Sequence, residues 1–114
     1  MSDAIIITGA ASRTGFAKRS SKWRGLRKKF IQGKTCAVCE GKTKLEVHHI
    51  IPFSLDPTKE LDETNLIVLC EGRAHLTCHL IVGHGGNYRD YNPDCVKDAE
   101  HMNWLLTKRQ KIEV

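Results

Sequence analysis

The chain has 114 residues, 40% of them hydrophobic and 6% aromatic, which is enough for one domain with a modest core. Its longest apolar runs, residues 5–7 and 50–52, are far shorter than the roughly 20 residues of a membrane-spanning helix, so no membrane partner is expected. It begins Met-Ser-Asp without a basic segment or an apolar core, so we expect no signal peptide and a reducing, cytoplasmic location.

The net charge of +5 is unevenly distributed along the chain. Residues 1–34 hold nine Lys or Arg and one acid, whereas the remaining residues hold nine bases and twelve acids. Such a basic third attracts a polyanion and contacts its phosphates without reading sequence. The alternative is a solvated charged face without a partner.

Residues 1–17 are predicted to form a flexible arm. Within it, Ile5-Ile6-Ile7-Thr8-Gly9 followed by Gly15 resembles the entry to a dinucleotide-binding turn. Arg13 stands where such a turn needs glycine, and no βαβ unit follows. We therefore expect no nucleotide cofactor.

A basic amphipathic helix is predicted from about Lys22 to Gln32, with Ser20 or Ser21 as its cap and Gly33 as its stop. Its apolar stripe, spaced for burial on one side, consists of Trp23, Leu26, Phe30 and Ile31. The basic side chains around that stripe are the candidate nucleic-acid contacts: Arg24, Arg27, Lys28 and Lys29.

Four cysteines form two pairs, Cys36-x2-Cys39 and Cys70-x7-Cys78. Four thiolates give Zn²⁺ a closed tetrahedral shell, which is typical of a structural site. The spacing between Cys70 and Cys78 is wide, and His75, which lies between them, is an alternative zinc ligand. The alternative for Cys70 and Cys78 is burial as ordinary thiols. No functional role is expected for the unpaired Cys95.

Two adjacent histidines, His48 and His49, lie in a strand predicted over 45–51 and closed by Pro52. Neighbouring residues of a strand face opposite sides, so one imidazole can bind a metal while the other approaches a substrate. A second short strand is predicted over 66–69, directly after Asn65, which on its own is an ordinary turn residue.

A helix that starts near Arg73 or Leu76 is predicted to carry His79 and to break at Gly83. His84 is five residues from His79 and so out of helical register, whereas His75 and His79 have i, i+4 spacing. If His79 binds a metal, the second ligand on this helix is therefore either His84 or His75. A last helix is predicted from Asp94 to about Lys111. Its expected inner face is Val96, Ala99, Met102 or Asn103, and Leu106.

The order Cys-x2-Cys, Val-His-His-Ile-Ile-Pro, Asn-Leu-Ile-Val-Leu-Cys and Cys-His closely resembles the HNH endonuclease family over residues 36–84. The flanking stretches 19–23 and 87–93 resemble small stand-alone HNH proteins of tailed bacteriophages. The resemblance implies an α+β fold: a ββα-metal finger stapled by a structural zinc knuckle, with the basic helix before it and a helix after it. It implies one domain over 18–114.

The resemblance also implies roles for individual residues. His49 is expected to be the general base, and Asn65 to orient it or its loop. The expected ligands of a catalytic divalent ion are His48, His79 and, in preference to His75, His84. The expected structural zinc ligands are Cys36, Cys39, Cys70 and Cys78.

The implied activity is hydrolysis of DNA to a 5′-phosphate and a 3′-hydroxyl, with Mn²⁺, Mg²⁺, Ni²⁺, Co²⁺ or Zn²⁺ at the histidines. Phage terminase or other packaging proteins are the partners that the resemblance implies. The alternative is a non-catalytic zinc-ribbon module that binds DNA or protein, which leaves the histidines without a purpose.

Overall fold

A two-stranded antiparallel sheet with helices around it forms the centre of the computed structural model, which describes residues 18–72 and 77–108. The helices and strands are α1 (Trp23–Ile31), β1 (Leu45–His49), β2 (Leu66–Cys70) and α2 (Cys95–Asn103). This arrangement confirms the predicted small α+β fold with flanking helices. The predicted arm 1–17, residues 73–76 and the chain end 109–114 lie outside the described residues.

Helix α1 covers the sheet with the predicted apolar stripe. Its side chains Trp23, Leu26, Phe30 and Ile31 pack against Val47, Leu66 and Val68. The helix ends at Ile31, and Gly33 follows with a φ of +72°, a conformation that glycine adopts at little cost. The residue at the N-cap is Lys22 rather than a serine, but the Ser20 hydroxyl accepts the Lys22 N–H at 3.0 Å and so shapes the entry turn.

The sheet register sets which side chains share a face. Leu45 pairs with Cys70 and His49 with Leu66. Strand β1 ends at His49, two residues before the predicted end, although the Ile50 N–H still donates to the Asn65 carbonyl at 2.8 Å. Val47 faces α1, so the strand's alternation sends His48 to the opposite side of the sheet.

The helical segment after β2 is shorter than predicted. Within the described residues it is one turn, His79–Gly83, which we call the histidine turn, preceded by the non-helical Thr77. The last helix, α2, continues into a second wide turn, Trp104–Lys108. Within the described parts of the chain, no helix has the length and apolar character needed to cross a membrane.

The inner face of the last helical segment differs from the prediction at two positions, Val96 and Leu106. The buried side chains are Cys95 and Ala99, with Met102 packed beside them, whereas Val96 is 39% and Leu106 is 38% exposed. The prediction was wrong because it did not count Cys95 among the apolar residues. An unpaired cysteine packs as a small hydrophobe, and Cys95 is fully buried.

Four buried or half-buried cysteines from three segments meet in the larger core cluster. The sulfur atoms lie within 4.8 Å of one another and belong to Cys36, Cys39, Cys70 and Cys78. The Cys36–Cys39 loop is a tight knuckle, because the Cys36 N–H donates to the Gly41 carbonyl and the Glu40 N–H to the Cys36 carbonyl, both at 2.9 Å. Despite its wide spacing, the second pair reaches the first.

This thiol cluster fits a zinc ion. Zn–S bonds of about 2.3 Å place neighbouring sulfurs of a tetrahedron roughly 3.8 Å apart, and the Cys39 and Cys70 sulfurs are 3.7 Å apart. Burial raises the pKa of the Cys70 and Cys78 thiols, so their thiolates need a cation. At Cys36 burial acts in the same direction, but nearby backbone N–H groups, from Cys39 first, lower its pKa overall.

Replacement of Cys39 by Ser should remove zinc and unfold the protein. Structural zinc contributes on the order of 10 kcal/mol, which is comparable to the whole stability of a small domain. Metal analysis should find one zinc per chain in the wild type and far less in the variant, and circular dichroism should show lost helix. Cys95→Ala is the matched control, because it removes a buried thiol outside the cluster. A stable, fully folded zinc-free protein contradicts the prediction.

Candidate metal and catalytic centre

Three histidines converge beside the sheet, on the face away from α1. They are His48 from β1, His79 from the histidine turn and His84 directly after it. Their ring centroids are 4.8 to 5.0 Å apart, and one ring nitrogen from each lies within 4.8 Å of the others. The structure therefore brings together the three predicted ligands of the divalent ion, whereas the alternative, His75, falls outside the described residues.

The wide hydrogen bonding of the histidine turn explains how His79 and His84 meet. In an α-helix, residues five apart point about 140° away from each other. Here the His84 N–H donates to the His79 carbonyl at 3.1 Å. This i→i+5 hydrogen bond widens the turn and brings His84 to the same side as His79. The register mismatch in the sequence is thus removed by a local widening of the helix.

Gly83 leaves the room that this arrangement needs. A β-carbon at this buried position would lie 3.2 Å from the His48 Nδ1 and 3.1 Å from the His79 Cδ2. It would also lie 3.0 Å from Leu69 of the sheet. A larger residue would therefore require Leu69 and the imidazoles of His48 and His79 to shift by a few tenths of an ångström.

Hydrogen bonds orient two of the three rings. His84 donates from Nδ1 to the Asp90 carbonyl at 3.0 Å, since a carbonyl can only accept, and so keeps its lone pair on Nε2. The His79 Nδ1 lies 2.6 Å from a Glu71 carboxylate oxygen, which leaves its Nε2 lone pair 3.0 Å from the His48 Nδ1. Two nitrogens bound to one ion at about 2.0–2.1 Å are separated by roughly 3 Å or slightly more.

His48 is a neutral imidazole. Burial, followed by the nearby His79 and His84, lowers its pKa to about 3. It therefore carries no proton that would compete with a metal near pH 7. The three nitrogens fit a divalent ion that accepts imidazole ligands.

His49 lies on the other side of β1, as the strand pattern predicts. Its ring centroid is 4.4 Å from that of Trp23, and its Nε2 is 3.0 Å from the Glu60 backbone carbonyl. Since the carbonyl can only accept, Nε2 carries the hydrogen and Nδ1 keeps the lone pair. Burial lowers the pKa of His49, so this lone pair is available near neutral pH.

Asn65 is buried and acts on the backbone near His49 rather than on the ring. Its side-chain oxygen accepts the Ile51 N–H at 2.8 Å, and its amide donates to the Ile51 carbonyl at 3.0 Å and to the Lys59 carbonyl at 3.3 Å. It thus ties the end of β1 to the loop that carries Glu60. The expected role of Asn65 in orienting His49 or its loop stays a prediction.

His48 and His49 open into one cleft of about 230 Å³, together with His79 and His84. Arg19 and Phe53, which the sequence interpretation missed, line the same cleft. The Arg19 guanidinium lies 4.3 Å from the Phe53 ring centroid and 3.6 Å from the buried Glu60 carboxylate. The only signal for Arg19 in the sequence was its place in a flank that resembles phage proteins.

The four basic residues of α1 are not equivalent. Arg24, Lys28 and Lys29 are exposed to solvent. Arg27 is half-buried and forms an ion pair with Glu46 of β1 at 2.9 Å. The free basic surface of the helix is therefore smaller than its sequence indicates.

Comparison with known proteins agrees with this geometry. Residues 36–85 match a family model described as HNH endonuclease. No curated protein and no solved structure matches the chain. The matched segment contains the thiol cluster, both strands, His49 and the three converging histidines. Residues 36–85 are therefore similar to an HNH endonuclease domain.

Proposed function

We propose that this protein is a metal-dependent endonuclease that hydrolyses phosphodiester bonds of DNA. The supporting observation is the pairing, in one cleft, of a three-histidine cluster with a histidine whose Nδ1 is unprotonated. Hydrolysis of a phosphodiester needs both a cation and a proton acceptor at the same phosphate. A zinc module without catalysis needs neither.

The residues that would hold the catalytic ion are His48, His79 and His84. When bound, a divalent ion supplies positive charge to the phosphate oxygens and to the departing 3′-oxygen. Imidazole nitrogens suit Mn²⁺, Ni²⁺, Co²⁺ and Zn²⁺, and Mg²⁺ is also accommodated when water and phosphate complete its shell. The thiol cluster holds a separate, structural zinc.

His49 is the proposed general base. Its Nδ1 takes a proton from water while the water oxygen bonds to phosphorus and the bond from phosphorus to the 3′-oxygen breaks. The departing 3′-oxygen takes a proton from solvent, so the products are a 5′-phosphate and a 3′-hydroxyl. The Glu60 carbonyl holds the Nε2–H throughout, and Asn65 holds the loop that presents this carbonyl.

Arg19 is the proposed contact to a phosphate of the bound strand. Its guanidinium lies in the cleft, where a planar fork of donors suits phosphate oxygens. The exposed cations of α1 extend positive charge from the cleft along the DNA backbone. Because residues 19–23 and 87–93 resemble phage proteins, the proposal includes a role in processing phage DNA together with packaging proteins.

Replacement of His49 by Ala should lower nicking of supercoiled plasmid by about 10²–10⁴-fold, the usual contribution of general-base catalysis. Nicking is followed on agarose gels with Mn²⁺ or Mg²⁺, with EDTA as the metal-free reference. His101→Ala is the matched control, because His101 is an exposed histidine on α2. If His49→Ala and wild type cut at the same rate, the assignment fails.

Charge reversal at Lys28 and Lys29 together should weaken DNA binding at low salt. Each lost phosphate contact lowers the salt slope by about 0.9, so two should lower it by about 1.8. Fluorescence anisotropy with labelled duplex over a salt series measures both effects.

The control for this pair is charge reversal at Lys42 and Lys97, two exposed lysines on other elements. It changes the net charge equally and leaves α1 intact. Equal losses in both double variants would mean that net charge alone, and not α1, governs binding.

A further inference from the structure

Glu71 connects to the metal centre through His79. Its Oε1 lies 2.6 Å from the His79 Nδ1, on the side of the ring away from His48. An ionised carboxylate only accepts, so the Nδ1 hydrogen is directed to Glu71 and the Nε2 lone pair to the centre. One contact thus sets both the tautomer and the orientation of the ring.

Tyr88 holds the carboxylate from its other side. Its hydroxyl donates to the Glu71 Oε2, so both carboxylate oxygens are engaged. Its ring lies edge-on to two of the candidate ligands, with centroids 5.7 Å from His79 and 5.2 Å from His84. Tyr88 therefore limits the movement of Glu71 and packs against both histidines of the turn.

The backbone of Glu71 is held as well. Its N–H donates to the Lys44 carbonyl at 2.7 Å, directly beyond the ladder of β1 and β2. Glu71 follows Cys70, and His79 follows Cys78. Glu71 and His79 are thus each joined by a peptide bond to a cysteine of the thiol cluster.

The exposure of this pair argues against a mainly stabilising role. The side chains of Glu71 and His79 are 34% and 18% exposed, and at such exposure even a fully charged pair would contribute little to folding. A carboxylate on the far nitrogen of a metal-binding imidazole has another effect: it fixes the ring and makes the ligand nitrogen more basic.

We propose that Glu71, held by Tyr88, is a positioning residue that raises the metal affinity of the centre formed by His48, His79 and His84. This inference rests on the proposed function only in taking these histidines as metal ligands. Neither Glu71 nor Tyr88 carries a ligand atom of the centre itself.

The test measures Mn²⁺ binding to the zinc-loaded protein, by calorimetry and by the electron paramagnetic resonance signal of free Mn²⁺. Mn²⁺ prefers nitrogen and oxygen ligands and does not compete for the four thiolates. Glu71→Ala should raise the dissociation constant by about 10–100-fold. Tyr88→Phe, which removes only a hydroxyl, should raise it less, and Glu71→Gln, which keeps an acceptor, should fall between wild type and Glu71→Ala.

Two controls separate this effect from folding. Zinc content and melting temperature should remain those of the wild type in all variants, and Glu100→Ala removes an exposed carboxylate of α2 without changing Mn²⁺ binding. Nicking by Glu71→Ala should approach the wild-type rate at saturating Mn²⁺, because affinity is lost and the proton acceptor is retained.

The outcomes distinguish the two proposals. Wild type that binds no Mn²⁺, or binds it equally well after His79→Ala, overturns the metal centre and this inference with it. Wild type that binds Mn²⁺ with the same affinity as both Glu71→Ala and Tyr88→Phe overturns the inference alone. Weakened binding in these two variants, with intact zinc content and folding, supports it.

Discussion

The candidate metal centre formed by the three histidines depends on the convergence of the four cysteine thiols. Among the residues that the structure describes, the sheet has two strands, and the smaller core cluster contains three buried residues. The thiol cluster joins the knuckle, the end of β2 and the start of the histidine turn. Because Glu71 and His79 directly follow two of these cysteines in the chain, a displacement of the cluster would also displace the candidate metal centre.

The two-residue period of a strand then separates the chemical tasks. His48 and His49 are adjacent, yet one contacts the histidine turn and the other contacts Trp23 and Glu60. In the proposed mechanism, the metal ligand His48 and the proton acceptor His49 would therefore approach one phosphate from different directions. Each ring also receives its own environment, deeply buried for His48 and half-buried for His49.

Features that depend on local spacing were predictable from the sequence. The knuckle, the stripe of α1, the Gly33 stop and the opposite faces of His48 and His49 follow from residues a few positions apart. The approach of His84 to His79 was expected from the family resemblance but not from the residue spacing, because an α-helical register was assumed and the turn is widened. The partners Arg19, Glu60, Glu71 and Tyr88 were missed because their contacts join distant segments, such as residues 17 positions apart for Tyr88 and Glu71.

Glu60 anchors two different parts of the molecule. Its carboxylate accepts the Ser20 N–H at 2.9 Å and faces Arg19, while its backbone carbonyl receives the His49 Nε2–H. Glu60 therefore holds both the His49 ring and residues 19–20, which lead into α1. For protein engineering, residues 18–20 are therefore a poor site for attaching a fusion partner or affinity tag. A segment joined there would disturb the contacts of Glu60 and so loosen the position of the His49 ring. An attachment on the exposed side of α2 would leave these contacts unchanged.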